Sequence, residues 1–362
     1  MEEECQNKPP VDHLSKKQMW QILALILVIG TVWSFINQQR DANENKVQRT
    51  FPVMGTIAQV TFYGDKEQCE SAADAVRDSF EKVSKTCNIF NPESELSKLN
   101  KAAYEKPFKC SDLLWRMLQS GRRAYKVSDG AFDITARPLM ELWGFYRKRG
   151  ESLPSKAETE DALRRTGLDK VIFNDKEKSV KFTVKGMSFD LGGFAKGAAV
   201  DLAAEAVEKL GVNCGIINLG GNMLCLPKPP LGRDSYVIGV RDPFDKSGVC
   251  GKVQVLNKAL ATSGNYERYV TINGKQYTHI MNVKTGMPVA DMYSVTVIAP
   301  TALDTDIYST SVFIKGVEFA RSVVKLRPDI SFLIIRPEAD GKTKVYRVNG
   351  LENRVKWGEI KF

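Results

Sequence analysis

The stretch from Phe189 to Val200 reads FDLGGFAKGAAV, with two adjacent glycines, Gly192 and Gly193, ahead of an alanine-rich run. The run continues as DLAAEAVEKLG to Gly211, so the pattern predicts a turn that opens a helix and a glycine that ends it. A helix that begins at a glycine turn can bind phosphate, because free backbone N–H groups and the positive end of the helix dipole point outward there. Glycines that merely permit close packing explain the stretch equally well.

Neither common nucleotide fingerprint matches this stretch. A Walker A loop requires G-x-x-x-x-G-K-[ST]. Gly192 and Gly197 have that separation, but Ala198 and Ala199 occupy the lysine and hydroxyl positions. A dinucleotide fingerprint requires G-x-G-x-x-G, which the spacing of Gly192, Gly193 and Gly197 does not give. Other segments must therefore decide between phosphate binding and packing.

The composition is that of a globular protein. The chain has 362 residues, of which 43% are hydrophobic and 26% charged, enough for one large domain or two smaller ones. The net charge of +9 suits an anionic ligand or membrane headgroups, but the basic residues are scattered among acidic ones, which argues against nucleic-acid binding. The seven cysteines form no C-x-x-C pair, so no zinc or thioredoxin-type site is predicted.

The N-terminal region contains an apolar segment. Residues 19–36, MWQILALILVIGTVWSFI, carry no charge and approach the roughly 20 residues that cross a bilayer. Trp20 and Trp33 lie near its ends, as interfacial aromatic residues do. A buried helix is the alternative, but the polar flanks and the lack of a cleavage site favour an uncleaved transmembrane helix. The sequence thus predicts a tail 1–18, an anchor 19–36, a linker 37–50 and an exported globular domain 51–362.

Strands and helices follow one another without a regular βαβ repeat, which predicts an α+β fold. Residues 56–64 alternate as a strand does, and 214–221 and 294–300 have the pattern of buried strands. Apolar residues at helical spacing predict helices over 68–90 and 112–126. The expected inward side chains of the helices are Ala73, Val76, Phe80, Val83, Leu113, Leu114, Met117, Leu118, Val200, Ala203, Val207 and Leu210.

Three polar residues are candidates for chemistry, each with a simpler alternative. Asp306 and Thr310 are four positions apart, so on a helix they share one face. Two oxygen ligands on one face suit Mg²⁺, which takes few protein ligands and leaves positions for phosphate and water, but an ordinary side-chain hydrogen bond has the same spacing. His279 is the only histidine after the predicted anchor. A lone histidine is more often structural than catalytic.

Six segments, in their order and spacing, resemble the FAD:protein FMN transferases of the ApbE family. The resemblance covers about residues 51–320 and implies an α+β fold of mixed or antiparallel sheets flanked by helices, related to the T-fold. The segments are MGT (54–56), SDGAFDIT (128–135) with LWGF (142–145), DLGGFAKGAAVD (190–201), ATSGNYERY (261–269), HIMNVKTGMPV (279–289) and DIYSTSVF (306–313).

The resemblance implies a Mg²⁺-dependent enzyme that cleaves FAD, attaches FMN through a phosphoester bond to a threonine or serine of an acceptor protein, and releases AMP. It further implies an acceptor among membrane electron-transport subunits. The apolar segment 19–36 predicts a single-pass protein of the bacterial inner membrane with its catalytic domain on the periplasmic or extracytoplasmic side. His279 and Asp306 would be catalytic, and Gly193, Asp306 and Thr310 would hold the metal. The flavin-binding residues that it implies are Met54, Phe90, Ala131, Phe132, Asp133, Asp190, Lys196, Thr262, Ser263 and His279.

The sequence departs from the family pattern at two positions. Asn282 stands where the family usually has the aspartate of H-x-x-D-P, which puts a catalytic role for that carboxylate in doubt. Phe90 stands in place of a frequent tyrosine and keeps only the stacking face. The alternative functions are an FAD pyrophosphatase giving FMN and AMP, and a non-catalytic, membrane-anchored FAD-binding protein. A redox enzyme that uses FAD as its cofactor ranks last.

Overall fold

A large antiparallel sheet with helices on one face organises the protein. The computed structural model describes residues 27–28, 30–31, 45–245, 247–350 and 356–362. The strands are β1 (Lys46–Val53), β2 (Thr56–Tyr63), β3 (Phe108–Lys109), β4 (Val171–Asn174), β5 (Ser179–Phe182), β6 (Gly215–Leu219), β7 (Asn222–Cys225), β8 (Tyr236–Arg241), β9 (Val249–Val255), β10 (Lys258–Gly264), β11 (Tyr269–Ile272), β12 (Lys275–Thr278), β13 (Met281–Asn282), β14 (Met287–Pro288), β15 (Ser294–Ala299), β16 (Ser331–Pro337), β17 (Thr343–Asn349) and β18 (Lys356–Trp357). The helices are α1 (Lys66–Cys87), α2 (Glu95–Ala102), α3 (Asp112–Val127), α4 (Arg137–Leu142), α5 (Lys156–Arg164), α6 (Ala195–Lys209), α7 (Ala302–Lys315) and α8 (Val317–Leu326).

The large sheet has eight strands in the order β1-β2-β6-β7-β10-β15-β16-β17. Every neighbouring pair in it is antiparallel. Antiparallel strands can follow one another through short hairpins, whereas parallel strands need long crossovers. The prediction of an α+β fold with antiparallel sheets flanked by helices is therefore confirmed.

The helices cover one face of this sheet. Helices α1 and α6 pack on β1, β2 and β6 through a core that includes the fully buried Phe62 and Phe80, and α7 and α8 pack on β15 and β16 around Val297 and Phe332. Burying a side chain of this size stabilises the fold by roughly 1.5–3 kcal/mol. The opposite face is covered by a second sheet, β18-β9-β8, over β7, β10, β15 and β16.

Most predicted inward side chains are buried, with two exceptions. Leu113 and Leu210 are only half-buried, although both pack against the main core. Each lies at an end of the apolar stripe of its helix, where the neighbouring elements leave part of the side chain exposed. Gly211 follows α6 with φ +75°, the backbone conformation that makes glycine a helix stop.

The predicted boundary between linker and domain is wrong. The predicted linker 37–50 overlaps β1, because residues 46–50 pair with β2 as far as Tyr63. The polar side chains of KVQRT hide this strand in the sequence, since only Val47 among them is buried. Residues 46–362 form one compact unit.

The predicted membrane anchor at 19–36 lies outside the described residues, apart from 27–28 and 30–31. Within the described part of the chain, we find no helix that combines the length and the apolar character needed to span a bilayer.

Candidate active site

A cavity of about 720 Å³ collects the predicted site residues. The β1–β2 and β6–β7 hairpin turns form one part of its lining. The turn before α6, the side of α7 that carries Asp306 and Thr310, and the end of β10 form the rest. Among the described residues, every predicted site residue except Phe90 lines this one cavity. A space of this size is in the range of small-molecule and cofactor pockets.

The turn from Asp190 to Lys196 is built by close packing as well as by hydrogen bonds. Asp190 Oδ1 accepts from the Gly192 N–H at 2.8 Å, and the Tyr146 hydroxyl donates to the other carboxylate oxygen. A Cβ on Gly193 would lie 2.9 Å from Cζ of Phe132, so a larger residue here would require the Phe132 ring to shift. The turn shows the close packing that glycines permit, and it also lines the cavity; phosphate binding at this turn stays a prediction.

Helix α6 begins with donors that face the cavity. Phe194, at its N-terminus, provides no side-chain cap. The Gly197 N–H donates to Asp306 Oδ2 at 2.8 Å, whereas the N–H groups of Gly193 and Lys196 donate to no described residue. The Lys196 ammonium forms no salt bridge within the described part of the chain either. These groups are available to an anionic ligand.

Helices α6 and α7 touch at Gly197. A Cβ there would lie 2.2 Å from the Ala302 carbonyl oxygen, which only glycine avoids. Asp201, one turn further along α6, accepts from the N–H groups of Ala302 and Leu303 at 2.8 and 2.9 Å and so caps α7. Burial raises the pKa of Asp201 to about 6. The turn before α6 and the polar residues of α7 are therefore held as one unit.

Asp306 is a buried carboxylate on α7 without an ion-pair partner among the described residues. Its Oδ2 accepts from the Gly197 N–H, and Asn222 donates to its Oδ1. Burial raises the pKa of Asp306, and the nearby Lys196 ammonium opposes the rise. Burial disfavours the ionised form of this carboxylate, and the residue nevertheless lies beside a cavity. Asp306 is therefore a candidate cation ligand.

The donor set near Asp306 fits Mg²⁺ better than a metal that requires many protein ligands. Thr310 lies one turn along α7, with its hydroxyl 3.5 Å from that of Ser263, which itself donates to Ser309 at 2.8 Å. No cluster of three or more His, Cys, Asp or Glu side chains occurs among the residues that the structure describes. Mg²⁺ is commonly held by one or two carboxylates and completed by water and substrate phosphates, and this set of hard oxygens matches that pattern.

His279 is held in one tautomer. Its Nδ1 lies 3.0 Å from the Arg268 carbonyl oxygen, which also accepts from the His279 backbone N–H at 3.1 Å. Since a carbonyl only accepts, Nδ1 carries the proton and Nε2 is left as an acceptor. Burial lowers the pKa of His279 to about 4, instead of the ordinary value near 6.5 that a sequence alone suggests. The imidazole is therefore neutral at neutral pH.

The sequence profile of the ApbE family matches residues 54–334, a range that contains all the cavity residues named above. The chain belongs to the ApbE family. A curated FAD:protein FMN transferase from Klebsiella pneumoniae is 31% identical over 275 residues, covering 75% of this chain and 84% of the relative. One from Haemophilus influenzae is 30% identical over 337 residues, covering 90% and 96%.

Solved ApbE structures have the same fold. The ApbE protein from Thermotoga maritima superposes with a TM-score of 0.74 at 30% identity and covers 83% of this chain and 96% of its own. The flavin transferase ApbE from Vibrio cholerae gives a TM-score of 0.75 over 85% of this chain and 98% of its own, with 24% identity.

Two residues of the ApbE pattern lie away from the cavity lining. Phe90 is 65% exposed and makes an edge-to-face contact at 5.6 Å with Tyr146, which donates to the cavity-lining Asp190. The Asn282 Oδ1 accepts from the Lys284 N–H at 3.0 Å and forms the turn between β13 and β14. An aspartate would make the same bond, so the departure at Asn282 has a structural explanation.

Sequence patterns missed three residues of the ApbE site. Tyr146 holds Asp190 and lies beside the guanidinium groups of Arg137 and Arg268, at 5.9 and 5.6 Å from its ring centre. Asn222 supports Asp306, and Arg268 fixes His279. Tyr146 follows LWGF directly, Asn222 follows the Gly220–Gly221 pair, and Arg268 lies within ATSGNYERY; these positions are the signals that the sequence gives.

Met54 occupies a strained backbone position. Val53 pairs with Thr56, and the two turn residues between them, Met54 and Gly55, have φ of 51° and 70°, the geometry of a type I′ turn, in which asparagine and glycine are preferred. A methionine there costs roughly 1–2 kcal/mol. Strain of this kind is common at ligand sites, and Met54 lines the cavity.

We expect Met54→Asn to leave the free energy of unfolding unchanged or to raise it by about 1 kcal/mol while weakening FAD binding. Unfolding by denaturant and titration with FAD would measure the two effects. Asn273, with φ 51° in the equivalent turn between β11 and β12, provides the reverse control, because Asn273→Met should lower stability and leave FAD affinity unchanged. An unchanged FAD affinity in Met54→Asn would remove Met54 from the binding site.

Proposed function

We propose that this protein is a Mg²⁺-dependent flavin transferase that moves FMN from FAD to a threonine or serine of an acceptor protein and releases AMP. The observation that carries the proposal is that one cavity brings together three groups: the buried Asp306 carboxylate and the Lys196 ammonium, which form no ion pair with any described residue, and a neutral His279 whose Nε2 is an acceptor. The ApbE relatives named above carry the same activity in their names, and they match this chain over most of its length.

The reaction forms one P–O bond and breaks another. The acceptor hydroxyl attacks the phosphorus that carries the riboflavin moiety, and the bond from this phosphorus to the bridging pyrophosphate oxygen breaks, so that AMP leaves with that oxygen. The hydroxyl proton has to be removed, and His279 Nε2 can accept it. Lys196 and the N–H groups of Gly193 and Lys196 would bind phosphate oxygens, which is the answer to the phosphate question that the glycine turn raises.

Asp306, Thr310 and the Gly193 carbonyl would hold Mg²⁺. When bound, the ion neutralises charge on the phosphates, the main requirement of phosphoryl transfer. The Asn222 and Gly197 donors fix the orientation of the Asp306 carboxylate, and Asp201 fixes the start of α7. These contacts hold the metal-ligating oxygens of the protein in position before substrate binds.

Removing divalent metal should stop both AMP release and FMN transfer. The test incubates the protein with FAD and a candidate acceptor, with Mg²⁺ or with a chelator, and follows AMP by chromatography and the acceptor by its mass. An acceptor mass increase matching FMN, lost with chelator and restored by Mg²⁺, supports the proposal. AMP formation without any acceptor adduct would instead indicate the pyrophosphatase alternative.

We further propose that residues 19–36 anchor the protein in the bacterial inner membrane with the catalytic unit exported, where it would modify a membrane electron-transport subunit. The apolar segment supports the anchor, and the compact unit begins only at Lys46.

Removing residues 1–44 should therefore yield a soluble protein that binds FAD and transfers FMN. A truncated chain that aggregates or fails to bind FAD would contradict the independence of this unit.

A further inference from the structure

One face of the β1–β2 hairpin is left uncovered by the second sheet. Ala58, Val60 and Phe62 of β2 point into the helical core and are buried, so the alternate side chains point to the opposite face. Cross-strand pairing places Pro52 beside Ile57 and Thr50 beside Gln59, with Asn218 of β6 next in line. We call this surface the shelf; its residues are Thr50, Pro52, Ile57, Gln59, Thr61 and Asn218.

The shelf is uncharged although 26% of the chain is charged. Ile57 is 55% exposed on it, and Thr50, Pro52 and Gln59 are exposed as well. Proteins usually place charged side chains, lysine above all, on exposed strands near a sheet edge, where they prevent pairing with other chains. Lys46 lies on the same face of β1 at the end away from the cavity, but the shelf residues nearer the cavity carry no charge, which permits an extended chain to lie on them.

Strand β8 borders the shelf and leads to the cavity. Its first residue, Tyr236, accepts from the Gly215 N–H at the start of β6 at 2.7 Å. Further along β8, Gly239 and Arg241 line the cavity together with Gly220, from the turn at the end of β6. Strand β8 therefore runs alongside β6 towards the cavity. Within the described residues it pairs only with β9, so its other edge is open.

We propose that an extended, uncharged segment of the acceptor protein pairs with the open edge of β8, lies across the shelf and carries its threonine or serine into the cavity. This proposal rests on the proposed transferase function, which requires a protein hydroxyl to reach the cavity from an adjoining surface. Addition of a strand to an open sheet edge takes affinity from main-chain hydrogen bonds and specificity from alternate side chains. A segment that contacts the six residues of β8 spans about 20 Å.

The test uses a defined probe, because the acceptor is not identified. The probe is a pool of synthetic peptides, each with one central threonine between uncharged β-branched and small residues, and a second pool carries N-methylated backbones at alternate positions. The full-length wild-type chain, Ile57→Lys and Gln59→Lys are compared with Thr343→Lys, which adds the same charge to β17 at the far edge of the same sheet. FMN transfer to peptide, AMP release, FAD affinity and oligomeric state are measured for each.

We expect wild type and Thr343→Lys to transfer FMN to the first pool and not to the N-methylated pool. The two shelf variants should raise the peptide KM about tenfold or more, because a docked segment has to desolvate the new ammonium. Their FAD affinity should be unchanged.

Equal peptide KM values in shelf variants and control would overturn the proposal, as would AMP release by wild type without transfer to either pool. A dimer that the shelf variants dissociate would assign the shelf to a second copy and overturn it too. Loss of both AMP release and FAD binding in wild type would instead contradict the transferase function itself.

Discussion

Replacing Asp306 by Ala is expected to reduce FMN transfer by at least about 100-fold, the range found when one group that stabilises transition-state charge is removed. FAD binding should persist, because most of the cavity lining lies on other elements. Single-turnover transfer at saturating FAD and Mg²⁺ measures the first effect, and FAD titration the second. Transfer at the wild-type rate with Mg²⁺ still required would remove Asp306 from the metal site.

The stability of the Asp306 variants separates function from folding. Burial raises the pKa of Asp306, so the folded state holds this proton more tightly than the unfolded state. For a carboxylate of this kind, the contribution to stability falls as pH rises from the unfolded pKa through the folded one. At neutral pH and without metal, Asp306→Asn should therefore not lower the free energy of unfolding, while it abolishes transfer.

Asp304, two positions earlier on α7, is the matched control. Its side chain is 4% exposed and is paired with Arg123 and with Arg327, the latter at 2.9 Å. Replacing Asp304 removes hydrogen bonds to two charged groups, Arg123 and Arg327, which are partly exposed, and Arg327 keeps Asp329 as a partner. Asp304→Asn should therefore lower stability by roughly 1.5–3 kcal/mol. A loss of the same size in Asp306→Asn would mean that Asp306 stabilises the fold and is not kept for a ligand.

Replacing His279 by Ala is expected to lower the single-turnover transfer rate at saturating FAD by about 100-fold or more, the lower range of general-base assistance. The neutral ring has its Nε2 free because Nδ1 donates to the Arg268 carbonyl. His279→Gln offers a hydrogen-bonding amide but accepts no proton, so it should be as slow as His279→Ala. Recovery of the full rate at saturating FAD would make His279 a binding residue only.

The pH profile provides an independent check on His279. Because burial lowers its pKa to about 4, the base form is present at neutral pH and is lost only as pH falls through that value. The dependence of kcat/KM on pH should therefore stay flat from neutral pH down to about 5 and fall below it. A fall centred near the ordinary histidine value would show that the ring is solvated in the working enzyme.

Patterns in the sequence predicted the structural features that depend on residues close together along the chain. The buried faces of the helices follow from periodicity, and the fully buried strand within 294–300 follows from its short, mostly apolar run. The spacing of Asp306 and Thr310 places them on one side of α7. The sequence did not predict β1 over 46–50, because one buried residue in that segment gives no alternation. It also could not predict that Asp201 caps a helix whose first residue is 101 positions away, since the partners are backbone N–H groups that no side-chain pattern records.

Family resemblance predicted the cavity residues better than their surroundings. Every implied residue but Phe90 lines the cavity. The contacts that position the cavity residues, from Tyr146 to Asp190 and from the Arg268 carbonyl to His279, join segments that are separated in sequence and become neighbours only in the folded protein. The pKa of His279 could not be inferred for the same reason, since burial by distant segments lowers it.

The β1–β2 hairpin separates the point where the chain enters the compact unit from the cavity. The chain enters the compact unit at Lys46, and Met54 at the other end of β1 lines the cavity. Eight residues of strand at a rise of about 3.3 Å each separate the two points by about 25 Å. A fusion partner joined ahead of Lys46 would therefore enter at the end of the hairpin away from the cavity, and it should leave access to the cavity open.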